Sequence, residues 1–356
     1  MKNVKGLYLH IPFCAAKCSY CDFHSAFEND TTMDAYCAAL CREMETYKGY
    51  NLDSLYIGGG TPSLLGAERL KKILDAVHKN FTLSGEATLE ANPADNLYPV
   101  FSAAKQGGIN RVSMGVQSGI EEELKILSRR HRLEEARQAV EDCRRAGIDN
   151  ISLDLMLGIP LQTPDSLHSS IDFLTSLSPS HISAYILKLE EGTALYKNRF
   201  DYPFPSEDAT ADLYLQTVEE LNVAGFKQYE ISNFAKAGFE SRHNLKYWRG
   251  EEYIGIGAAA HGFLNGERYF YPPDTLGFIE NPTKISDGKG GGEEEKFMLG
   301  LRLAEGVNLD DFPNIQVLKK AEAFARHGLC SLSGSRLQLT PKGFLVSNEI
   351  LAEFLK

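Results

Sequence analysis

The chain has 356 residues, 43% of them apolar and 24% charged, with a net charge of -11. That length supports one large core plus a smaller appended module, and no apolar run approaches the roughly 20 residues of a membrane span. The acidic balance disfavours general binding to a polyanion, so nucleic acid is not an expected partner.

The N-terminus, MKNVKGLYLHIPF, has a short apolar stretch broken by Pro12 and no small-residue cleavage site, so the expected location is the cytoplasm. GLYLHI (6–11) is the first of six β-rich runs, followed by SLYIGG (54–59), EATLEA (86–91), RVSMGV (111–116), ISLDLML (151–157) and HISAYIL (181–187). Segments of helical period lie between them at 33–48, 66–79, 95–106, 133–146 and 165–176. Six βα units imply a parallel sheet. The runs read as apolar on both faces, as for strands covered by helices and by a core. The expected fold is α/β, a partial (β/α)6 barrel over residues 1–190. Residues 191–284 read as an extension of that barrel, with YPFP at 202–205, a helix at 207–224 and an aromatic, glycine-rich block from Tyr229 to Tyr271. The four glycines of ISDGKGGGEEE suggest a linker over 285–292. Residues 293–356 then read as a small α+β module of winged-helix type.

Seven cysteines in a reducing compartment point to ligands or reactive thiols rather than disulfides. Cys37, Cys41, Cys143 and Cys330 are scattered and read as small buried hydrophobes. Cys14, Cys18 and Cys21 instead crowd the loop after the first strand, with spacing C-x3-C-x2-C. A structural zinc wants four ligands, and the fourth would have to be His10, His24 or Asp22. A 4Fe-4S cluster usually takes four thiolates, so three cysteines leave one iron open to something that is not protein. Three bare thiols beside Lys17, Ser19 and Asp22 make no hydrophobic core. The cluster is the favoured reading and zinc the alternative.

Parallel barrels place their chemistry at the C-terminal ends of their strands. YIGGGTPSLL (56–65) sits at one such end; its glycines allow close approach to a ligand, and its exposed amides suit a charged amino-acid terminus. It is not G-x-G-x-x-G, so a dinucleotide fingerprint fails. Glu90 in LEANP, Gln117 in MGVQS, Arg129 in LSRRH and Asp154 in SLDLMLGIP fall at or near successive strand ends.

C-x3-C-x2-C with Tyr20 before the third cysteine, after strand one of a βα barrel, resembles the radical S-adenosylmethionine superfamily. The resemblance implies an open iron chelated by the amino and carboxylate groups of S-adenosylmethionine, whose sulfonium is cleaved by one electron to a 5'-deoxyadenosyl radical. The whole chain is similar to the group built around oxygen-independent coproporphyrinogen III oxidase and its HemW-type relatives. LHIPFCAAKCSYCDF, YIGGGTPS, EANP, RVSMGVQS, LDLMLGIPLQT, YEISNFA and HNLKYWRGEEYIGIGAAAHGF carry that similarity; the C-terminal module fits more loosely. By resemblance, Tyr8, Tyr20, Gly59, Gly60, Thr61, Glu90, Gln117, Arg129 and Asp154 contact S-adenosylmethionine, with Arg130 a rival of Arg129. Cys14, Cys18 and Cys21 hold the cluster, and no catalytic residue is assigned.

One departure selects a branch. The oxidase has a further cysteine two positions beyond the third, where this chain has Phe23. Phe23 resembles the HemW branch, which implies a chaperone that binds haem as cargo and passes it to acceptor proteins. Respiratory membrane proteins are among the implied acceptors, so peripheral membrane contact is compatible, as are a homodimer and a flavodoxin- or ferredoxin-type electron donor. HNLKYW (243–248) offers His243 to haem iron, with Tyr247 and Trp248 as flat surface for a macrocycle. Packing at the junction with the C-terminal module is the competing explanation of that segment. His10, His24 and His261 are weaker ligand candidates. Coproporphyrinogen oxidation, radical methyl transfer and a zinc scaffold are the alternative functions.

Overall fold

The computed structural model describes residues 2–3, 6–93, 96–315 and 317–356. Asp95, expected to open the third helix, and Gln316, expected within a C-terminal helix, lie outside them.

After a two-residue strand β1 (Lys2–Asn3) come six strands in chain order: β2 (Leu7–Ile11), β3 (Tyr50–Gly59), β4 (Thr82–Ala91), β5 (Arg111–Gln117), β6 (Asn150–Leu157) and β7 (His181–Ile186). Each of the six pairs in parallel with the next, and β1 joins the side of β3. The connecting helices are α1 (Asp30–Glu45), α2 (Gly66–Asn80), α3 (Tyr98–Gln106), α4 (Glu121–Ile126), α5 (Leu133–Arg145) and α6 (Pro164–Ser176). The first helix starts three residues before the expected 33, at a capping residue. Asn29 accepts from the Thr32 amide at the head of α1, and Thr163 with Ser166 forms a capping box ahead of α6.

The strands are not apolar on both faces, as the runs had suggested. Side chains alternate, and the outward set is Leu7, Leu9 and Ile11 on β2, Leu55 and Ile57 on β3, Val112 and Met114 on β5, and Ile151 and Leu153 on β6, all fully buried. These pack with Leu40, Ile73 and Val140 of the helices in one continuous core, each contributing about 2 kcal/mol. The inward set is polar: Tyr8 and His10, Tyr56, Thr88 and Glu90, Ser113 and Gln117, Ser152 and Asp154, Ser183 and Tyr185. The glycines, tyrosines and small hydroxyls in these runs hid the alternation. The curled sheet encloses a polar lumen rather than a second hydrophobic layer.

Beyond β7, α7 (Ala194–Lys197) and α8 (Glu207–Val223) lead to β8 (Lys227–Gln228) and β9 (Asn233–Ala235), which extend the sheet antiparallel. After α9 (Arg242–Trp248), β10 (Ile254–Ile256) adds a parallel strand at the other edge, beside β2. The barrel is incomplete, since the sheet runs from β10 to β8 without closing. A small antiparallel sheet follows, made of β11 (His261–Leu264), β12 (Glu267–Phe270) and, past α10 (Thr275–Glu280), β13 (Ile285–Lys289). β13 occupies much of the expected linker. A ladder needs only backbone groups, so this exposed strand pairs with β12 without contributing side chains to a core.

The last segment packs α11 (Glu293–Gly300), α12 (Leu318–Arg326), α13 (Pro341–Leu345) and α14 (Ser347–Phe354) against the sheet β14 (Val307–Asn308), β16 (Arg336–Leu339), β15 (Cys330–Ser333). Edge-to-face contacts join Phe297 to Phe312 and to Phe354. Backbone hydrogen bonds from Ile231 to Arg302 and from Ala304 to Tyr229 tie this module to the barrel.

Candidate functional site

The cysteine loop leaves the C-terminal end of β2 and is pinned by its backbone. Cys14 N donates to Ala26 O at 3.0 Å, and Ala26 N to Pro12 O at 3.0 Å. Ser19 reaches the end of α4 through N to Leu127 O and Oγ to Ile126 O, while its own carbonyl accepts from Leu195 N. The loop is therefore fixed around three half-buried free thiols, which line a common cavity of about 140 Å³ with Tyr20, Gly59, Gly60, Glu90, Gln117, Arg129 and Asp154. Burial, then the neighbouring thiols, push the Cys21 thiol up.

Two glycines are sterically required here. A side chain on Gly60 would start 2.5 Å from Phe13 O and 3.0 Å from Cys14 Sγ. Gly59 has φ +119° and would meet the His10 ring at 2.7 Å. Its amide donates to Glu90 Oε2 at 3.0 Å, and Tyr56 OH donates to Glu90 Oε1 at 2.7 Å. Burial nevertheless raises the Glu90 carboxyl. Burial first, then the Glu90 charge, lifts Asp154 to about 7.

A polar circuit joins two of the thiols through three strand ends. Cys14 Sγ lies 3.4 Å from Thr61 Oγ1, which accepts from Asn92 Nδ2 at 2.8 Å. Asn92 Oδ1 accepts from Arg129 Nη2 at 2.5 Å, and Arg129 Nη1 donates to Cys18 Sγ at 3.4 Å. Arg129 also donates to Gly115 O. Gln117 holds a left-handed backbone, φ +76°, and its Oε1 accepts from Tyr185 OH at 2.7 Å. Sequence reading overlooked Asn92 and Tyr185. The signal for Asn92 was its place in LEANP, two residues beyond Glu90 and so on the same strand face.

Not every expected ligand residue reaches this cavity. Tyr8 OH bonds His10 Nδ1 at 2.9 Å, and its ring lies deeper in the lumen, 6.2 Å from Tyr56. Arg130 is exposed and lines a neighbouring cavity instead. His10 Nε2 donates to His24 O, and His24 Nε2 bonds Thr275 Oγ1, so both rings are engaged. His261 is exposed and stacks on Phe270.

The donor set fits an iron–sulfur cluster. Three thiols ring one cavity, yet among the described residues no three His, Cys, Asp or Glu side chains gather where they could share one ion. A cluster meets each thiolate at a different iron, whereas a structural zinc draws four ligands to one point.

The opposite end of the lumen is plugged by α9. Glu86 on β4 accepts from the amides of Arg242 and His243 at 3.1 Å each and from Ser241 Oγ at 3.4 Å, capping the helix. His243 is wholly buried; its Nδ1 bonds Ser54 Oγ and its Nε2 bonds Tyr247 OH, both at 2.9 Å. Burial lowers its pKa to about 3. Tyr247 stacks edge-on between His243 and Tyr253, and Lys246 pairs with Asp53 and Glu251. Trp248 faces the Arg302 guanidinium of the C-terminal module at 5.8 Å. HNLKYW thus packs the barrel floor, and ligation of iron by His243 would require breaking one of its two ring contacts.

Residues 8–174 match the Radical SAM superfamily model and residues 294–346 the HemN C-terminal domain model. The chain is 38% identical to the heme chaperone HemW of Bacillus subtilis (strain 168), with 99% of each chain covered. It is 35% identical to the heme chaperone HemW of Lactococcus lactis subsp. lactis, covering 100% of this chain and 98% of that one. Among solved structures it overlays on the coproporphyrinogen III oxidase (HemN) of Escherichia coli with a TM-score of 0.82 at 20% identity, covering 99% of this chain and 90% of the other; this is a likeness of fold. Among the described residues no helix is long and apolar enough to cross a membrane.

Proposed function

Because the chain belongs to the family of the heme chaperone HemW, we propose that it binds haem and passes it to acceptor proteins. In this reading Cys14, Cys18 and Cys21 hold a 4Fe-4S cluster, and S-adenosylmethionine occupies the adjoining mouth of the lumen. The observation that carries the proposal is the full-length identity with HemW chaperones.

A bound cluster would supply an iron without a protein thiolate, open to the amino and carboxylate groups of S-adenosylmethionine, and a store for one electron. The chain's own residues do the rest. Arg129 sets a fixed positive charge against Cys18 Sγ, where it offsets thiolate charge and can meet a ligand carboxylate. Glu90, Gln117 and Asp154 line the cavity as oxygen acceptors for amino and hydroxyl groups. Gly59 and Gly60 let the backbone approach, and Tyr20 and Tyr185 wall the site against water. Phe23 lies at the cavity's edge, 63% exposed, and brings no thiol there.

Anaerobic reconstitution followed by haemin titration tests the proposal. A saturable Soret shift at one haem per chain is the expected result, and its absence overturns the haem reading. Turnover of coproporphyrinogen III to protoporphyrinogen in the same preparation would move the assignment to the oxidase.

A further inference from the structure

The mouth of the lumen has a larger neighbour. A second cavity of about 490 Å³ adjoins it, and Cys18, Asn92 and Arg129 line both. Its volume is within the 300–1,000 Å³ typical of small-molecule sites. Leu64, Leu97 and Val100 give it an apolar wall, and the exposed Arg130 stands at its rim.

His131 also lines this space, 5% exposed. Its Nε2 lies 3.2 Å from Val116 O. A carbonyl only accepts, so Nε2 carries the proton. Burial and then the Arg129 charge lower the ring's pKa to about 3, so it is neutral and its Nδ1 bears a bare lone pair. That nitrogen has no hydrogen-bond partner among the described residues. The other buried imidazoles differ. His10, His181 and His243 each have both ring nitrogens bonded. A neutral imidazole whose one N–H is anchored on a backbone carbonyl presents its other nitrogen as a metal-binding histidine does.

Resting on the reading of the chain as a haem chaperone, we propose that haem binds in this second cavity. His131 Nδ1 faces the iron, the macrocycle lies on Leu64, Leu97 and Val100, and Arg130 meets a propionate. The cargo then sits beside the cysteine cavity, not at the α9 floor.

The test compares anaerobic haemin titrations of the cluster-loaded wild type, His131→Ala, Arg130→Glu and His243→Gln, with thermal melting and iron content as checks on folding. His131→Ala is expected to bind haemin at least tenfold more weakly with a displaced Soret band, and added imidazole to restore the wild-type band. Arg130→Glu, on an exposed position that folding tolerates, is expected to weaken binding several-fold without moving the band, and His243→Gln to leave the band in place. Wild-type affinity and band position in His131→Ala, or in a folded Arg130→Glu unchanged affinity, overturns the location while leaving haem binding intact. Loss of the band in His243→Gln alone moves the site to the floor. No saturable shift in the wild type removes the haem reading and this inference with it.

Discussion

At the mouth of the lumen Cys14, Cys18 and Cys21 stand half-buried around a cavity, whereas at its floor His243 and His181 each have both ring nitrogens bonded. Both ends draw on the same kinds of residue, and both carry sequence signatures that read as ligand sites. What separates them is whether the side chains' bonding capacity is already taken up. The mouth keeps three half-buried thiols around a cavity that Glu90 and Asp154 also line, and the floor uses its polar groups on one another and on the amides of α9. Function follows from unfilled valence and stability from filled valence, and only the fold tells them apart.

Substitutions at the two ends should therefore break different properties. The largest effect belongs to the mouth: Cys18→Ser is expected to drop iron from about four per chain to background, measured by iron assay and visible absorption, with the denaturation midpoint of the apo protein unchanged. Next comes Glu86→Ala, which leaves the α9 amides buried without their acceptor and should cost about 3 kcal/mol in denaturant unfolding, while native protein still takes up iron. A variant that lost both properties together would erase the division between the ends.

Proton linkage sharpens it further. His243 is a base whose folded pKa, about 3, lies below its ordinary value. Its contribution to stability is thus complete above pH 6.5 and lost as pH falls towards 3, about 2 kcal/mol between pH 6.5 and 5. His243→Gln should flatten that acid limb in melting temperature against pH. Asp154 at the mouth has the opposite displacement, upward to about 7. Its carboxylate forms only as pH rises through 7, so affinity for the cationic S-adenosylmethionine should grow about tenfold from pH 6 to 8 and become flat in Asp154→Asn, as read by equilibrium dialysis.

Much of the mouth was legible in the sequence. The six strands, the cysteine loop and the placing of Glu90, Gln117 and Asp154 come from local signals: period, turn residues and position after a strand. Asn92 carried only its place two residues beyond Glu90 as a local signal, because its partners, Thr61 and Arg129, lie 31 and 37 positions away. The packing contacts of His243 were hidden for the same reason, since Ser54 is 189 positions distant. The polar inner face was hidden because Tyr and Thr satisfy β propensity as well as aliphatic residues do, and the small Gly and Ser between them do not mark a polar face. β13 was hidden because edge pairing spends no hydrophobicity.

The bond between Glu86 and the His243 amide spans 157 positions of chain. Such a distant closure carries a large loop-closure entropy cost. During synthesis the thiol loop emerges first and the stopper for the lumen arrives long afterwards. Until then the growing polypeptide is an open-bottomed tube, with its charged interior flooded by solvent and its thiols open to oxidants.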